Sequence, residues 1–424
     1  MRLLHVSDWH LGATLGRVDR WPDHQQVLGE QIALARELRP HLILHTGDLF
    51  HHPRPAVEDL RRGLWALEEL AAVAPVVVLA GNHDSPAMFE VFQRLLALGR
   101  LGGDPSRLQF VGRARPPGDG GVLSLPGDTS GDLEEEIRLA PLPFVHPNAL
   151  LEAFEVPPER WTAHYTDQVH YVEQALGDGL RDGYDGTRHL LLFAAHLYVG
   201  GAVFSNSERR LHVSEAYATR VDHLPGVTYA AFGHIHRPQA LPGGLVVGRY
   251  AGAPIPIDFG EEGEQKSVVV VEAAPARPAW VEAVPISGGR PLQRVRGTLE
   301  ELGRMADDIG RAIVLATVAT ETPTADLADQ VMALLPAATL LDVHEDCAAS
   351  RVEVVSGAPE GGEPTLRELF AEFLSQDARQ GIHADQVLGV FDRLLEAAEA
   401  EAGASFDEEA LLVPEPAAAG GARP

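Results

Sequence analysis

The chain has 424 residues, of which 45% are hydrophobic and 22% charged, and it contains one cysteine, Cys347. This composition is typical of a soluble globular protein of roughly two to four domains, and no apolar run reaches the ~18 residues of a membrane span. The formal net charge of −27 neither supports nor excludes a phosphate substrate. Because a single cysteine rules out an internal disulfide and no signal peptide is evident, we expect a cytoplasmic protein.

Strand and helix patterns alternate from the start of the chain. Strands are predicted at RLLHVS, HLILHTGD and APVVVLA, and helices at PDHQQVLGEQIALARELRP and PAVEDLRRGLWALEELAAV. The strands are nearly continuous apolar runs, as expected when crossover helices bury both faces of a sheet. Further strands are predicted at LQFVG, IRLAPLPF, HLLLFAAH, VTYAAFGH, LVVGRY and KSVVVVEA. The first domain is therefore an α/β core over residues 1–275.

A second pattern begins after the connector ARPAWVEAVPISGGRP. A compact β-α-β-α-β unit is predicted over residues 285–345, and the Gly- and Pro-rich segment SGAPEGGEP separates it from a helical segment at 363–402. The tail at 403–424 has the composition of a disordered segment.

The helical segment carries two apolar stripes. Thr365 and Glu368 form a capping-box pattern, which predicts a helix start. The first stripe consists of Leu366, Leu369, Phe370, Phe373 and Leu374, and the second of Val387, Phe391, Leu394, Leu395 and Ala398. The stripes could bury each other, fold back on the rest of the chain, or bind a partner.

Polar side chains stand at the ends of five predicted strands. The motifs are SDWH, TGD, GNHD, AAH and FGHIH, and their candidate residues are Asp8, His10, Asp48, Asn82, His83, Asp84, His196, His234 and His236. Because ligands at the carboxyl ends of strands in an open α/β sheet share one crevice, we expect these side chains to converge. Glycines precede Asp48, Asn82 and His234, where tight turns are expected.

These residue types predict a site for two divalent ions. Imidazole, carboxylate and amide oxygen suit Mn, Fe or Zn, whereas the thiolates of a structural zinc site are missing from the motifs. Asp48 is the natural carboxylate to bridge two ions. Histidines outside the motifs have simpler interpretations, since His5 and His45 fit a buried core and His51 and His52 fit a loop.

The motifs DxH, GD, GNHD, a later histidine and GHxH resemble the calcineurin-like metallophosphoesterase superfamily. SDWHLG, LAGNHDSP, FGHIHRPQ and YAGAPIPIDFGE look more closely like the nuclease subunits of bacterial SbcCD-type complexes. The resemblance covers the first 275 residues and also fits the order of the later segments. It implies a two-sheet α/β core, a smaller α/β capping domain at 285–345 and a C-terminal helical segment.

The resemblance also implies individual roles. One metal ion would be bound by Asp8, His10, Asp48 and His236, and the other by Asp48, Asn82, His196 and His234. His83 would face the substrate as the catalytic acid, and Asp84 would orient the His83 imidazole and set its tautomer. Ala195 stands where the family usually has a glycine, which does not remove a ligand.

The function implied is that of a DNA exonuclease and endonuclease in DNA repair and recombination. Its cofactors would be two divalent ions, preferably Mn²⁺, and its substrates double-stranded ends and hairpins. Its partner would be an SbcC-type ATPase bound by residues 363–402, with a homodimer inside a heterotetramer. Arg290, Arg294 and Arg296 are candidate phosphate contacts of the capping domain, although a solvated surface is the commoner role of such residues.

Two alternatives remain open at this point. Another phosphoesterase of the same fold could act on small nucleotides or phosphoproteins, and would need no C-terminal segments. A non-catalytic binding scaffold is the second alternative, and the complete ligand set argues against it.

Overall fold

The computed structural model describes residues 1–99, 107–130, 134–144, 165–205, 218–350, 365–376 and 384–399. The chain divides into two units, Met1–Ser350 and Arg351–Pro424. The connector SGAPEGGEP and the tail at 403–424 lie outside the described residues, as do the side chains of Phe373 and Ala398. None of the helices in the described ranges is long and apolar enough to cross a membrane.

The strands of the described residues are numbered in chain order. They are β1 (Arg2–Val6), β2 (Thr14–Leu15), β3 (Val18–Asp19), β4 (Leu42–His45), β5 (Val76–Leu79), β6 (Leu108–Val111), β7 (Leu123–Pro126), β8 (Glu136–Leu142), β9 (His189–His196), β10 (Tyr198–Val199), β11 (Ala218–Thr219), β12 (Tyr229–Gly233), β13 (Gln239–Ala240), β14 (Gly248–Tyr250), β15 (Ser267–Glu272), β16 (Trp280–Pro285), β17 (Leu292–Gly297), β18 (Ile313–Thr320) and β19 (Thr339–Cys347).

The α-helices are numbered in the same way. They are α1 (Trp21–Leu38), α2 (Val57–Ala71), α3 (Pro86–Ala97), α4 (Tyr165–Arg181), α5 (Leu299–Arg304), α6 (Ala306–Ile309), α7 (Leu327–Leu334), α8 (Leu366–Gln376) and α9 (Ala384–Glu399). Short 3₁₀ turns at Val221–His223 and Phe259–Glu261 connect some of the strands.

Two six-stranded sheets form the core of the first unit. The strand order of the first sheet is β16-β15-β1-β4-β5-β6, in which β1, β4, β5 and β6 run parallel. The order of the second is β13-β14-β12-β9-β8-β7, in which β14, β12, β9 and β8 run parallel. Within each sheet the carboxyl ends of the parallel strands therefore lie at one edge.

The two sheets pack face to face. Alternate residues of the first sheet, such as Leu3, Leu44 and Val77, share a buried cluster with Leu192 and Ala231 of the second sheet. The opposite face of the first sheet packs on α1, α2 and α3, and that of the second packs on α4. The expectation that helices cover both faces of the strands is therefore wrong. The strands are apolar on both sides because one face meets helices and the other meets a second sheet.

The predicted β-α-β-α-β element order is observed in β17 to β19. These three strands form a separate parallel sheet, β17-β18-β19, whose apolar side packs on Leu302 of α5 and Val331 of α7. β16 lies in the stretch predicted to be a connector, where it pairs antiparallel with β15. Its residues are largely exposed or half-buried, so this edge strand has a weak hydrophobic pattern.

The described part of the second unit consists of α8 and α9. The predicted capping box is confirmed, since the Thr365 backbone N–H lies 2.8 Å from Glu368 Oε2 and the Glu368 N–H lies 3.2 Å from Thr365 Oγ1. Phe370 of α8 stacks on Phe391 of α9 with ring centroids 4.1 Å apart. The two apolar stripes therefore meet each other at these aromatic residues.

Candidate metal centre

The nine candidate residues come together where the ends of the two sheets meet. Asp8 and His10 follow β1, Asp48 follows β4, and Asn82, His83 and Asp84 follow β5 of the first sheet. From the second sheet, His196 ends β9, and His234 and His236 follow β12. The expected crevice is thus shared by two sheets. The strand-end motifs alone did not predict that the candidate residues come from two different sheets.

The backbone is strained at four of these residues. The φ angles of Asp8, His10, Asp48 and His234 are 52°, 47°, 52° and 96°. Residues other than glycine seldom adopt this left-handed region, and such strain persists only where the surrounding structure enforces it. The strand ends are therefore held in conformations that point side chains toward one another.

The glycines before the motifs are needed mainly for close approach. A Cβ atom at Gly81 would lie 2.1 Å from Asp48 Oδ1, and one at Gly233 would lie 2.3 Å from the Thr46 carbonyl oxygen. Only Gly47 also has a positive φ, of 110°. A turn that requires glycine is therefore found at Gly47. At Gly81 and Gly233 glycine is needed instead because a side chain would collide with Asp48 or with the backbone of Thr46.

Asp48 lies at the middle of the cluster. Its Oδ2 is 3.5 Å from His10 Nε2 and 3.4 Å from His196 Nε2, so one carboxylate oxygen faces a ring on each side. Its Oδ1 accepts a hydrogen bond of 2.8 Å from the backbone N–H of His83. Such a position suits a carboxylate that bridges two ions, and the bridging role of Asp48 stays a prediction.

The remaining candidate ligand atoms form two sets near Asp48. On one side, Asn82 Oδ1 is 2.9 Å from His196 Nε2 and 2.8 Å from His234 Nδ1. On the other side, His10 Nε2 and His236 Nε2 are 3.1 Å apart, and Asp8 offers an oxygen within 4.8 Å of both. Asp8 also offers an oxygen within 4.8 Å of Asp48 and His196, so it lies near both sets. The division into two groups of four that the family resemblance implies stays a prediction.

The hydrogen-bond partners of the His196 and His236 rings show which ring nitrogen is available to a metal ion. His196 Nδ1 lies 2.8 Å from the Thr46 carbonyl oxygen, and His236 Nδ1 lies 3.0 Å from Glu261 Oε1. Because a carbonyl or carboxylate oxygen can only accept, each Nδ1 carries a hydrogen and each Nε2 is the nitrogen left for the cluster. Although burial alone would lower it, the Asp48 carboxylate raises the pKa of His196 to about 9, so a proton occupies His196 Nε2 when no metal ion is bound. A divalent ion would displace that proton and accept the Nε2 lone pair, and imidazole nitrogens with carboxylate and amide oxygens form a donor set that fits such ions.

The pKa values of the two buried carboxylates shift in opposite directions. Burial alone would raise the pKa of Asp48, but the neighbouring His196 and His83 hold that pKa well below its usual range. Burial raises the pKa of Asp8 to about 6. Burial also lowers the pKa of His10 well below its usual value, so this ring is neutral and able to bind a metal.

Asp84 does not play the part expected of it. Its two carboxylate oxygens accept hydrogen bonds from the backbone N–H groups of Leu49, Phe50 and Gly81 at 3.1, 2.9 and 2.8 Å. His83 Nδ1 instead lies 2.8 Å from the carbonyl oxygen of His51, which sets its tautomer. Asp84 thus joins the loops that follow β4 and β5, and the expectation that it orients the His83 imidazole is wrong.

Two groups that the sequence did not single out lie behind the ligands. Glu261 contacts His236 and also lies 2.5 Å from Lys266 Nζ. Burial alone would raise the pKa of Glu261, but the charges of Lys266 and His236 lower it to about 2. The Phe144 ring stacks on that of His234 with centroids 6.3 Å apart. Glu261 belongs to the motif APIPIDFGE, whose only signal in the sequence was its resemblance to the family.

The histidines outside the motifs behave in two ways. His5 and His45 are fully buried, as expected, and His5 lies 3.0 Å from both Tyr229 Oη and Thr46 Oγ1. His51 does not merely occupy a loop, because its Nδ1 lies 3.3 Å from His10 Nδ1 and its carbonyl orients His83.

The three arginines considered as phosphate contacts each pair with a carboxylate. Arg290, Arg294 and Arg296 lie 2.8, 2.8 and 2.7 Å from Asp23, Glu262 and Asp346. Arg290 is mostly buried by its pairing, whereas Arg294 and Arg296 stay 56% and 71% exposed, so a phosphate contact and a solvated surface both remain open for these two residues.

Known proteins match this chain over its first two thirds. Residues 1–238 match the calcineurin-like phosphoesterase family. The SbcD component of the nuclease SbcCD from Bacillus subtilis is 31% identical over 297 residues, covering 69% of this chain and 71% of that protein. The SbcD proteins from Rhodobacter capsulatus and Escherichia coli are 28% and 29% identical, each covering 71% of this chain and 76% and 72% of their own lengths. The chain therefore belongs to the calcineurin-like phosphoesterase family and, within it, to the SbcD nucleases.

Proposed function

We propose that the chain is a DNA exonuclease and endonuclease that hydrolyses phosphodiesters with two divalent ions, Mn²⁺ being preferred. The observation that carries this proposal is the position of the Asp48 carboxylate between two imidazoles, with His10 Nε2 and His196 Nε2 lying 3.5 and 3.4 Å from its Oδ2. This is a donor set that divalent ions accept. The relatives named as nucleases support DNA as the substrate.

Two groups of residues would hold the ions. The first group is Asp8, His10, Asp48 and His236, and the second is Asp48, Asn82, His196 and His234. When bound, such ions supply charge that activates water and stabilises the phosphoryl oxygens in the transition state. Thr46 and Glu261 keep His196 and His236 in the required tautomers through their Nδ1 atoms.

His83 is the proposed proton donor to the leaving oxygen. The His51 carbonyl binds its Nδ1 hydrogen, so Nε2 is the nitrogen that exchanges a proton with the substrate. Its ring centroid lies 4.7 Å from that of His10, which places it beside the proposed ligands. A histidine in this position can protonate an alkoxide as the phosphodiester breaks.

The partner in the proposal is an SbcC-type ATPase, which the name of the relatives supports. The chain would act with it in the cytoplasm in DNA repair and recombination, as a homodimer within a heterotetramer. Residues 363–402 would bind the ATPase, because Leu369 of α8 and Leu394 of α9 are 49% and 46% exposed although both belong to apolar stripes.

The experiment that tests this function compares substrates with and without Mn²⁺. Labelled linear duplex, hairpin and circular single-stranded DNA would be incubated with the full-length protein, alongside a cyclic nucleotide and a phosphopeptide. We expect Mn²⁺-dependent cleavage of DNA and little hydrolysis of the small substrates. Hydrolysis of the small substrates alone would support the alternative phosphoesterase, and no hydrolysis of any substrate would support a binding scaffold.

A further inference from the structure

A second group of potential metal ligands lies on α4, apart from the strand-end cluster. His170 and Glu173 are three residues apart on this helix, a spacing that puts both side chains on the same face. His223 ends the 3₁₀ turn Val221–His223 that follows β11. One ring nitrogen of each histidine and one Glu173 oxygen lie within 4.8 Å of one another.

Glu173 is an unusual residue to bury. Its side chain is 0% exposed, and burial raises its pKa to about 8. Thr219 of β11 is also buried, and its hydroxyl donates to the carboxylate, lying 2.8 Å from Oε1 and 3.0 Å from Oε2. A single hydroxyl hydrogen cannot offset the cost of burying a charged carboxylate, so a proton or a cation is needed.

The histidines also carry unused ring nitrogens. Within the described residues, Nδ1 of His170 and Nδ1 of His223 are buried and have no hydrogen-bond partner. The two rings lie against each other with centroids 3.7 Å apart. Asp222 is adjacent in sequence, but it pairs with Arg220 at 2.8 Å. Among the residues that the structure describes, these two ring nitrogens therefore remain unsatisfied, and the Glu173 carboxylate is hydrogen-bonded only to the Thr219 hydroxyl.

We propose that His170, Glu173 and His223 bind a transition-metal ion of the Zn²⁺ class, separate from the ions of the nuclease centre. Two imidazoles and one carboxylate are a donor set that zinc accepts, with a fourth position left for water. Thr219 would orient the carboxylate, as hydrogen-bonding partners of metal-binding carboxylates do. The ion would link α4 to the 3₁₀ turn Val221–His223, which follows β11.

The direct test is anomalous scattering at the zinc absorption edge from crystals of the full-length protein equilibrated with Zn²⁺. The proposed nuclease centre provides the internal standard, because its imidazole and carboxylate groups also suit Zn²⁺. We expect an additional peak within bonding distance of all three side chains. No peak there in crystals whose nuclease centre is occupied would overturn the proposal.

Metal content in solution provides a second test that needs no crystal. Glu173→Gln keeps the shape of the side chain, and His223→Ala changes a half-buried residue, so both variants should fold. Each should retain about one Zn²⁺ per chain less than wild type after dialysis, with unchanged Mn²⁺-dependent cleavage of DNA. The exposed His344→Ala is the matched control and should retain the wild-type content. Wild-type zinc content in both folded site variants would contradict the site.

Discussion

The Nδ1 hydrogen of the His83 imidazole is bound by the carbonyl oxygen of His51, which leaves Nε2 as the nitrogen for proton exchange. The same principle applies to His196 and His236, whose Nδ1 atoms contact Thr46 and Glu261. Each ring is thus oriented by one nitrogen and is chemically available through the other.

His83→Ala tests the role of the proton donor. The variant should retain about two Mn²⁺ per chain, because His83 is not among the proposed ligands. Cleavage of linear duplex DNA should fall by ~10²–10⁴-fold, the usual range for loss of a general acid. His52→Ala is the control, since His52 is an exposed neighbour in the same loop region. Loss of bound metal in His83→Ala would make His83 a ligand instead, and unchanged cleavage would leave it without a catalytic role.

Gly81→Ala tests the close approach behind the proposed bridging carboxylate. The added Cβ would lie 2.1 Å from Asp48 Oδ1, so Asp48 or the GNHD turn must move. We expect Mn²⁺ binding measured by calorimetry to weaken by at least ~10-fold, comparable with disturbing an outer partner of a metal ligand. Gly29→Ala in α1 is the matched control, because a Cβ there meets nothing within 4 Å. That substitution should stabilise the fold by up to about 1 kcal/mol and leave metal binding unchanged.

The proposed ligands could be predicted from sequence because each follows an apolar strand and carries a metal-binding group. The supporting residues could not be predicted in the same way. Glu261 is 25 residues from His236, and only the folded chain brings them together. Asp84 directly follows His83, so adjacency suggested that one orients the other, whereas the carboxylate turns toward the backbone of Leu49 and Phe50.

Among the elements, buried strands and amphipathic helices were predictable and the exposed edge was not. β5 and β9 are buried along their whole lengths and therefore read as unbroken apolar runs. β16 alternates between exposed and half-buried residues and contains Glu282, so its sequence resembles a connector. The pairing of the two sheets was implied by family resemblance alone, because hydrophobic runs do not reveal whether a helix or a sheet covers them.

The helices α8 and α9 leave part of their apolar surface exposed. Phe370 and Phe391 stack on each other, and Arg367 lies 2.7 Å from Asp392, so these residues join the two helices. Leu369 and Leu394 are about half exposed and remain available to a partner. The structure of this unit therefore separates residues that hold the helices together from residues that could bind the ATPase.

Leu369→Glu combined with Leu394→Glu tests the proposed partner surface. A carboxylate buried in an apolar interface without a counter-charge is costly, so co-purification with an SbcC-type ATPase should be lost. Mn²⁺-dependent nuclease activity of the isolated chain should be unchanged. Arg393→Glu adds the same group at an exposed polar position of α9 and should keep the complex intact. A stoichiometric complex with the double variant would place the partner surface elsewhere.

On the scale of the whole molecule, all nine candidate site residues belong to the unit Met1–Ser350. A chain ending at Ser350 should therefore fold, bind about two Mn²⁺ and cleave DNA, but should not co-purify with the ATPase. A chain ending at residue 402, which lacks only the segment predicted to be disordered, is the control and should form the complex. Loss of Mn²⁺-dependent cleavage in the folded shorter chain would show that the nuclease needs the second unit.

The central claim is that Asp48 bridges two divalent ions that hydrolyse DNA, and its most direct test is the rate of nucleotide release from linear duplex DNA as Mn²⁺ is titrated. The test compares wild type with Asp48→Asn, which preserves the shape of the side chain and removes its charge. We predict no release without a divalent ion and release that saturates with Mn²⁺ in wild type. The rate for Asp48→Asn should be at least ~10²-fold lower at every Mn²⁺ concentration, because losing a bridging ligand should cost more than losing an outer partner of a ligand. Equal rates for the two proteins at the same Mn²⁺ concentration would contradict the account.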